Sequence, residues 1–463
     1  MIETVSSPEA LCRLDAASLA EAYKAGRLSP VEVTQACLAR AEEINPRLNA
    51  FTFIDHEGAL AAAKASEARW GRGEPHSDAD GIPTTLKDIV WVKDWHVRYG
   101  SLTTSDALYE DDAPAVRLLR EHGVVFIGQT TMPEFGWKAV TDSPAFGITR
   151  NPHDLSKTPG GSSGGAAAAA AAGAGVFHLG TDGGGSIRIP AAFCGISGLK
   201  PTFGRVPAYP ASAFGTVAHI GPMARSTADV MAMLKIMSGR DLRDWHQCAG
   251  ILPPLQLTSM ALNGLKIGYW RQPPVGQVDT EVASIIDSRI AQLAAAGAEI
   301  TPFELPGDDL LALFHAHWFT GAAARLAALP EDRLERIDPG LLEIAREGAA
   351  MNAIQLVQAQ VRRADFGAAM DAALVKHDFI LSPGTTIPAF EAGAEQPAES
   401  GLKRWTEWAG FSFPINLSQQ PAAVTPCGTT KAGLPVAMQV IGARGADSRV
   451  LSLAAALEDM FAG

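Results

Sequence analysis

The chain has 463 residues, 47% of them hydrophobic, and a mean hydropathy of +0.07, the profile of a globular protein with a large core. A formal charge of −12 argues against nucleic acid or an anionic membrane as partner, since both demand a basic face. Cys12, Cys37, Cys194, Cys248 and Cys427 are scattered, odd in number and never form C-x-x-C, which argues against a disulfide framework or zinc site and for reduced thiols in the cytoplasm.

The opening MIETVSSPEALCRLD has no basic segment followed by an apolar one, so no secretory leader is expected. Ser29-Pro30-Val31-Glu32 reads as a capping box with proline at the first helical position, and Asn45-Pro46 is expected to end that helix. A second helix is predicted over 55–70, then a polar loop GRGEPHSDADGIP and a strand TTLKDIVWV, 84–92. Further strands are predicted at VVFIGQ (124–129), VFHLGT (176–181), LKIGYW (265–270), DFILSP (378–383) and PVAMQVIG (435–442). Helical patterns over 113–122, 227–238, 280–296 and 449–460 separate most of them. Strands alternating with helices predict a sheet covered by helices on both faces. The stretch GRDLRDWHQCAGILPP is a candidate connector between halves, but too little like a linker to divide the chain.

Two glycine-rich stretches carry the chemical signal. Residues 158–175, TPGGSSGGAAAAAAAGAG, begin like a flexible linker but run into seven alanines, the strongest helix former. They are too weakly apolar to span a membrane. A glycine loop entering a helix suits an anion, yet no G-x-x-x-x-G-K-[ST] is present. Gly160-Gly161-Ser162-Ser163-Gly164 matches the G-x-S-x-G nucleophile elbow. An elbow must leap from a strand, however, and NPHDLSKTPG before it reads as loop; the later histidines also stand in no suggestive context.

Residues 180–191 read GTDGGGSIRIPA. Cleaving an amide or ester builds negative charge on the carbonyl oxygen, and several N–H groups must converge on it beside the nucleophile. Consecutive glycines can turn successive N–H groups inward. Gly183, Gly184 and Gly185 before Ser186 thus have the form of an oxyanion hole, although an ordinary glycine turn with an incidental serine reads the same way. No histidine lies nearby in sequence. Lys87 is the candidate base, provided that burial keeps its amine neutral; a lysine in an apolar strand can equally snorkel or pair with an acid.

Together these stretches resemble the amidase signature family: GIPTTLKDI, NPHDLSKTPGGSSGGAAAA and LGTDGGGSIRIPAAFCGISGLKPTFGRVP stand in the family's order, flanked by MPEFGW and GLPVAMQVIG. The resemblance runs from about residue 80 to the C-terminus and is thin over 245–400. It implies a Ser–Ser–Lys arrangement in which Ser186 is the nucleophile, Ser162 the bridging serine after a cis peptide bond from Gly161, and Lys87 the base. The N–H groups of Gly183, Gly184, Gly185 and Ser186 would hold the oxyanion. Ser163, Asp182 and Arg188 would brace the loops. Gly183 stands where many relatives carry a side chain, so a looser loop and a wider pocket are expected there. The resemblance also implies one large α/β domain with a mixed, twisted central sheet covered by helices on both faces, and no metal or organic cofactor.

The expected organisation is an N-terminal helical region, 1–75, packed on a catalytic unit, 76–463, whose substrate region is the variable segment about 245–415. The pocket should be built by 300–415 with the loop 132–137. The aromatic residues Phe314, Trp318, Phe319, Trp405, Trp408, Phe411 and Phe413 are either core, the reading preferred here, or pocket wall. If two line the pocket, aryl or other apolar acyl groups are expected. The leading function is a stand-alone cytoplasmic hydrolase of small-molecule carboxylic amides, with esters as a further option, acting through an acyl-enzyme. The alternative is the glutaminase subunit of a tRNA-dependent amidotransferase, which feeds ammonia to a partner. A catalytically inert binding protein is the third reading, disfavoured because all three catalytic positions are filled. A homodimer is a family-level expectation.

Overall fold

The computed structural model describes residues 7–247 and 252–461; the first six residues, Cys248 and residues 248–251 of the candidate connector lie outside the described residues. Its framework is a mixed sheet. In chain order the strands are β1 (Phe51–Ile54), β2 (Pro83–Lys87), β3 (Val125–Thr130), β4 (Asp142–Ser143), β5 (Gly147–Ile148), β6 (Phe177–Asp182) and β7 (Ser197–Lys200). They continue as β8 (His219–Ala224), β9 (Lys266–Tyr269), β10 (Glu299–Pro302), β11 (Phe379–Pro383), β12 (Ala422–Thr429) and β13 (Pro435–Ile441). Eleven of them form one sheet in the order β1-β3-β2-β6-β8-β7-β12-β13-β11-β9-β10, while β4 and β5 pair separately. The runs β3-β2-β6 and β11-β9-β10 are parallel, and the remaining neighbours are antiparallel.

Side chains alternate between the two faces. Phe379 and Leu381 of β11 and Met438 and Val440 of β13 join one apolar cluster, whereas Ile380 and Ile441 join another. That period of two sets one core on each side of the sheet. The first also takes Leu19 and Val33 from the N-terminal helices Ala16–Lys24 and Pro30–Leu48. The second is the aromatic one, holding Phe314, Trp318, Phe319, Trp405, Trp408, Phe411 and Phe413, all buried.

Several predicted boundaries move, each for a local reason. The capping box at Ser29 forms, but the helix runs on to Leu48, with Pro46 inside its last turn and Asn49 left-handed at the end. Asn45 does not end the helix; its side chain pairs with both main-chain groups of Phe51. The strand expected over 84–92 stops at Lys87, because Asp88 turns the chain and its carboxylate accepts the Arg98 and Gly100 N–H groups. Lys87 therefore sits at the carboxyl end of β2, where open α/β sheets place their ligands.

Candidate active site

β2 and β6 are parallel neighbours, so the carboxyl ends that carry Lys87 and Thr181 lie side by side. Lys87 is fully buried, yet its Nζ donates to Ser162 Oγ at 2.7 Å, Thr181 Oγ1 at 2.8 Å and Ser163 Oγ at 3.0 Å. No carboxylate touches it among the described residues. Burial pushes its pKa down to about 7, against the opposing pull of the Asp182 carboxylate. Of the two readings open in the sequence, the snorkelling or ion-paired lysine is thus not the one observed.

Ser162 and Ser163 lie in the turn before the buried helix Gly164–Ala172, and the Gly161–Ser162 peptide is cis. Residues 151–160 before them are irregular, so no strand feeds an elbow here. The first N–H groups of the helix are already engaged: Ser163 N–H donates to Ser186 O at 3.1 Å, Gly164 N–H to Thr141 Oγ1 at 3.1 Å and Gly165 N–H to Thr131 O at 3.3 Å. An anion cradle is therefore not available at this helix start. Glycine is required there for close approach, since a Cβ on Gly164 or Gly165 would fall 2.3 Å from a threonine hydroxyl. Ser163 Oγ accepts from Lys87 Nζ and Thr181 N–H and donates to Thr181 O, tying the serine turn to β6.

The loop after β6 is organised by Asp182. Its carboxylate is fully buried and accepts from the N–H groups of Gly185 at 2.9 Å and Ile187 at 3.1 Å, from Asn416 Nδ2, and from Arg188 Nε and Nη2. Burial alone would raise its pKa, but Arg188 and Asn416 outweigh that and hold it well below the usual carboxylate range. Arg188 is fully buried as well. Its remaining N–H groups reach Ser412 O, Gln439 Oε1 and Asn416 Oδ1, so all five donors are satisfied. Residues 412–439 thus clamp the loop from another part of the chain.

One of the four expected oxyanion donors is occupied, because Gly185 N–H faces Asp182 Oδ1. The N–H groups of Gly183, Gly184 and Ser186 have no acceptor among the described residues. The glycines also have a second cause that the sequence hid. A Cβ on Gly183 would meet Trp318 at 2.8 Å, on Gly184 Trp405 at 2.7 Å, and on Gly185, whose φ is +124°, Ser412 at 2.5 Å. The loop is pressed against an aromatic wall. The wider pocket expected at Gly183 is therefore absent: the Trp318 ring fills that space, stacked on Phe214 with centroids 3.9 Å apart. Its Nε1 donates to Trp137 O.

Ser162 and Ser186 line one cavity of about 360 Å³ with Thr181, Asp182 and Gly183. Ser186 Oγ makes no hydrogen bond among the described residues, while its backbone carbonyl is held by Ser163. Most of the wall comes from residues 201–220, with Phe203, Tyr209 and Phe214, and from Tyr99 and Phe135. The segment 300–415, expected to build the pocket, contributes Trp318 and Arg325 among the described residues. Its other aromatics pack on each other beneath the glycine loop, Phe314 standing 5.0 Å from Phe413 and 5.9 Å from Trp405. His219 lines the cavity too, but its Nδ1 faces the Val217 and Asp182 carbonyls and burial drives its pKa well down. Thr181, Asn416 and Gln439 were missed in the sequence; only Thr181, beside the GGGS run, lay close enough to be suspected.

The Amidase family model matches residues 32–451. The chain is 34% identical to a glutamyl-tRNA(Gln) amidotransferase subunit of Myxococcus xanthus (strain DK1622), over 95% of this chain and 96% of that one. It is 32% identical to the acylamidase of Rhodococcus erythropolis, over 96% of this chain and 95% of that one. Among solved structures, a bacterial aryl acylamidase of the amidase signature enzymes superposes with a TM-score of 0.88 and 27% identity, covering 96% of each chain.

Proposed function

The chain belongs to the amidase signature family, whose members hydrolyse amide C–N bonds, and from that premise we propose that it is a free-standing amidase acting on small carboxylic amides through an acyl-enzyme on Ser186. The observation that carries this reading is a fully buried Lys87 amine, touched by no carboxylate among the described residues and 2.7 Å from Ser162 Oγ, in the cavity that Ser186 also lines; burial pushes its pKa down to about 7.

In the proposed cycle Ser162 Oγ takes the Ser186 proton while passing its own to the neutral Lys87 amine. Ser186 Oγ then bonds to the substrate carbonyl carbon. The N–H groups of Gly183, Gly184 and Ser186 receive the developing oxyanion. Lys87 returns a proton through Ser162 to the nitrogen as the C–N bond breaks, and the amine or ammonia departs. Water enters, gives a proton to Lys87 by the same relay and attacks the ester carbon. As the bond from the carbon to Ser186 Oγ breaks, Lys87 returns that proton through Ser162 to Ser186 Oγ, and the acid leaves with both groups restored. Asp182 and Arg188 act through the loop they brace, not on the substrate. Of the seven aromatics singled out in the sequence, Trp318 alone lines the cavity among the described residues; with Phe135, Phe203 and Phe214 it makes an apolar wall that supports a hydrocarbon stretch of the acyl chain.

The second reading is the glutamine-hydrolysing component of a tRNA-dependent amidotransferase, favoured by the 34% identity to a protein of that kind. A panel of aliphatic, aryl and peptide amides with glutamine, assayed for ammonia or amine release by the purified chain alone, separates the two. Turnover of simple amides without a partner supports the amidase. Glutamine hydrolysis that appears only with co-purifying partners supports the second reading.

A further inference from the structure

The cavity beside Ser186 carries a cation that the proposed cycle does not use. Arg325, in the last turn of the helix Leu310–Leu326, lines it together with Ser162 and Ser186. Its guanidinium carbon lies 4.4 Å from the centroid of the Phe135 ring and 5.0 Å from that of Tyr99. Among the described residues it has no ion-pair partner and no hydrogen bond. The Tyr99 hydroxyl is turned to Trp91 Nε1, so Tyr99 offers Arg325 only its ring face. Of the cavity carboxylates, Asp182 is committed to Arg188, and both Asp244 oxygens accept backbone N–H groups, from Ala208 at 2.8 Å and His246 at 2.7 Å.

Two ring faces steady the guanidinium and leave its N–H edges for an oxygen ligand. A planar fork of donors fits a carboxylate with two parallel hydrogen bonds. Phe135 precedes Gly136, and a Cβ on Gly136 would stand 3.3 Å from Ser162 Oγ. Phe135, Gly136, Ser162, Ser186 and Arg325 all line one cavity of about 360 Å³, whose size limits the substrate that can meet both the cation and the serine to a short one.

We infer that Arg325 binds a carboxylate carried by the amide substrate, so that half-amides of short dicarboxylic acids are turned over in preference to neutral amides of the same length. This rests on the amidase reading above and adds the substrate class to it. Asp182 is committed to Arg188, and glutamine, the α-amino derivative of glutaramate, reads what an added ammonium group does in the same cavity.

The test compares kcat/KM for pentanamide, glutaramate and glutamine, which share one chain length, in the wild type, Arg325→Leu and Arg325→Lys. The wild type is expected to favour glutaramate over pentanamide by ~10–100-fold, the range for a hydrogen bond to a charged group. The ratio falls to about one in Arg325→Leu and is partly kept in Arg325→Lys, which restores the charge but not the fork. A wild-type ratio at or below one, or a ratio unmoved by Arg325→Leu, overturns the assignment. Calorimetry of glutarate and pentanoate on Ser186→Ala protein reads the same preference without turnover, and equal affinities there also overturn it. Pentanamide hydrolysis that disappears in Ser186→Ala upholds the amidase reading even if the Arg325 assignment fails. Absence of all amide turnover with a retained preference for glutarate does the reverse.

Discussion

The base in this account is an amine that must be uncharged at working pH, and that requirement has a size. A lysine with its ordinary pKa of ~10.4 is neutral in roughly four molecules per ten thousand at pH 7. Lys87, pushed down to about 7 by burial, is neutral in half of them, a gain of ~10³ in competent enzyme. At ~1.36 kcal/mol per pH unit, burial disfavours the charged form by roughly 5 kcal/mol. The sign for stability follows: the unfolded chain binds this proton up to the ordinary lysine range and the folded chain only up to about 7. Lys87 therefore weakens the fold fully below pH 7, and stability recovers as pH rises from about 7 toward 10. For activity, kcat/KM on a neutral amide should climb about tenfold per pH unit from pH 5 and level off above about 7. Lys87→Met, close in volume but unable to take a proton, should lose ~10²–10⁴ in kcat/KM and with it the acid limb. A flat wild-type profile, or a limb that survives with the same midpoint in Lys87→Met, would refute the lysine base.

Thr181→Val removes a hydroxyl that accepts from Lys87 Nζ at 2.8 Å; the ammonium form loses more than the amine, so the midpoint of the acid limb should move below that of the wild type. An unchanged midpoint contradicts that role. Gly185→Ala forces a Cβ to 2.5 Å from Ser412 Cβ in a left-handed backbone and should cost about 1–3 kcal/mol in urea unfolding, with a larger fall in kcat as the nucleophile loop shifts. Arg188→Met strands the buried Asp182 carboxylate and should destabilise by about 3–5 kcal/mol in the same measurement. A loss under about 1 kcal/mol would mean that the ion pair does not hold the loop.

What was legible in the sequence was what lies in unbroken stretches. Lys87, Ser162 and Ser186 each sit in a run of neighbours with a strong local signature, and β2 and β6 read as apolar strands. What was hidden depends on distant segments. Nothing beside Gly183 announces that Trp318, 135 positions later, occupies its Cβ space. Nor does Gly185 show that its N–H will be spent on Asp182. β8 was missed because HIGPMA carries a glycine and a proline in its interior, residues that argue against a central strand. The cavity wall at 201–220 was missed because its chain is mostly irregular and has no periodicity to read, whereas the aromatic-rich segment 300–415 drew attention to residues that mainly fill the core.

The most direct measurement is rapid quenching of the wild type during turnover of a slowly deacylating amide or ester, with the adduct located by peptide mass. The account predicts the acyl mass on the peptide at Ser186, absent from Ser186→Ala. An adduct on Ser162 with Ser186 unmodified, or turnover that proceeds undiminished in Ser186→Ala, would contradict it.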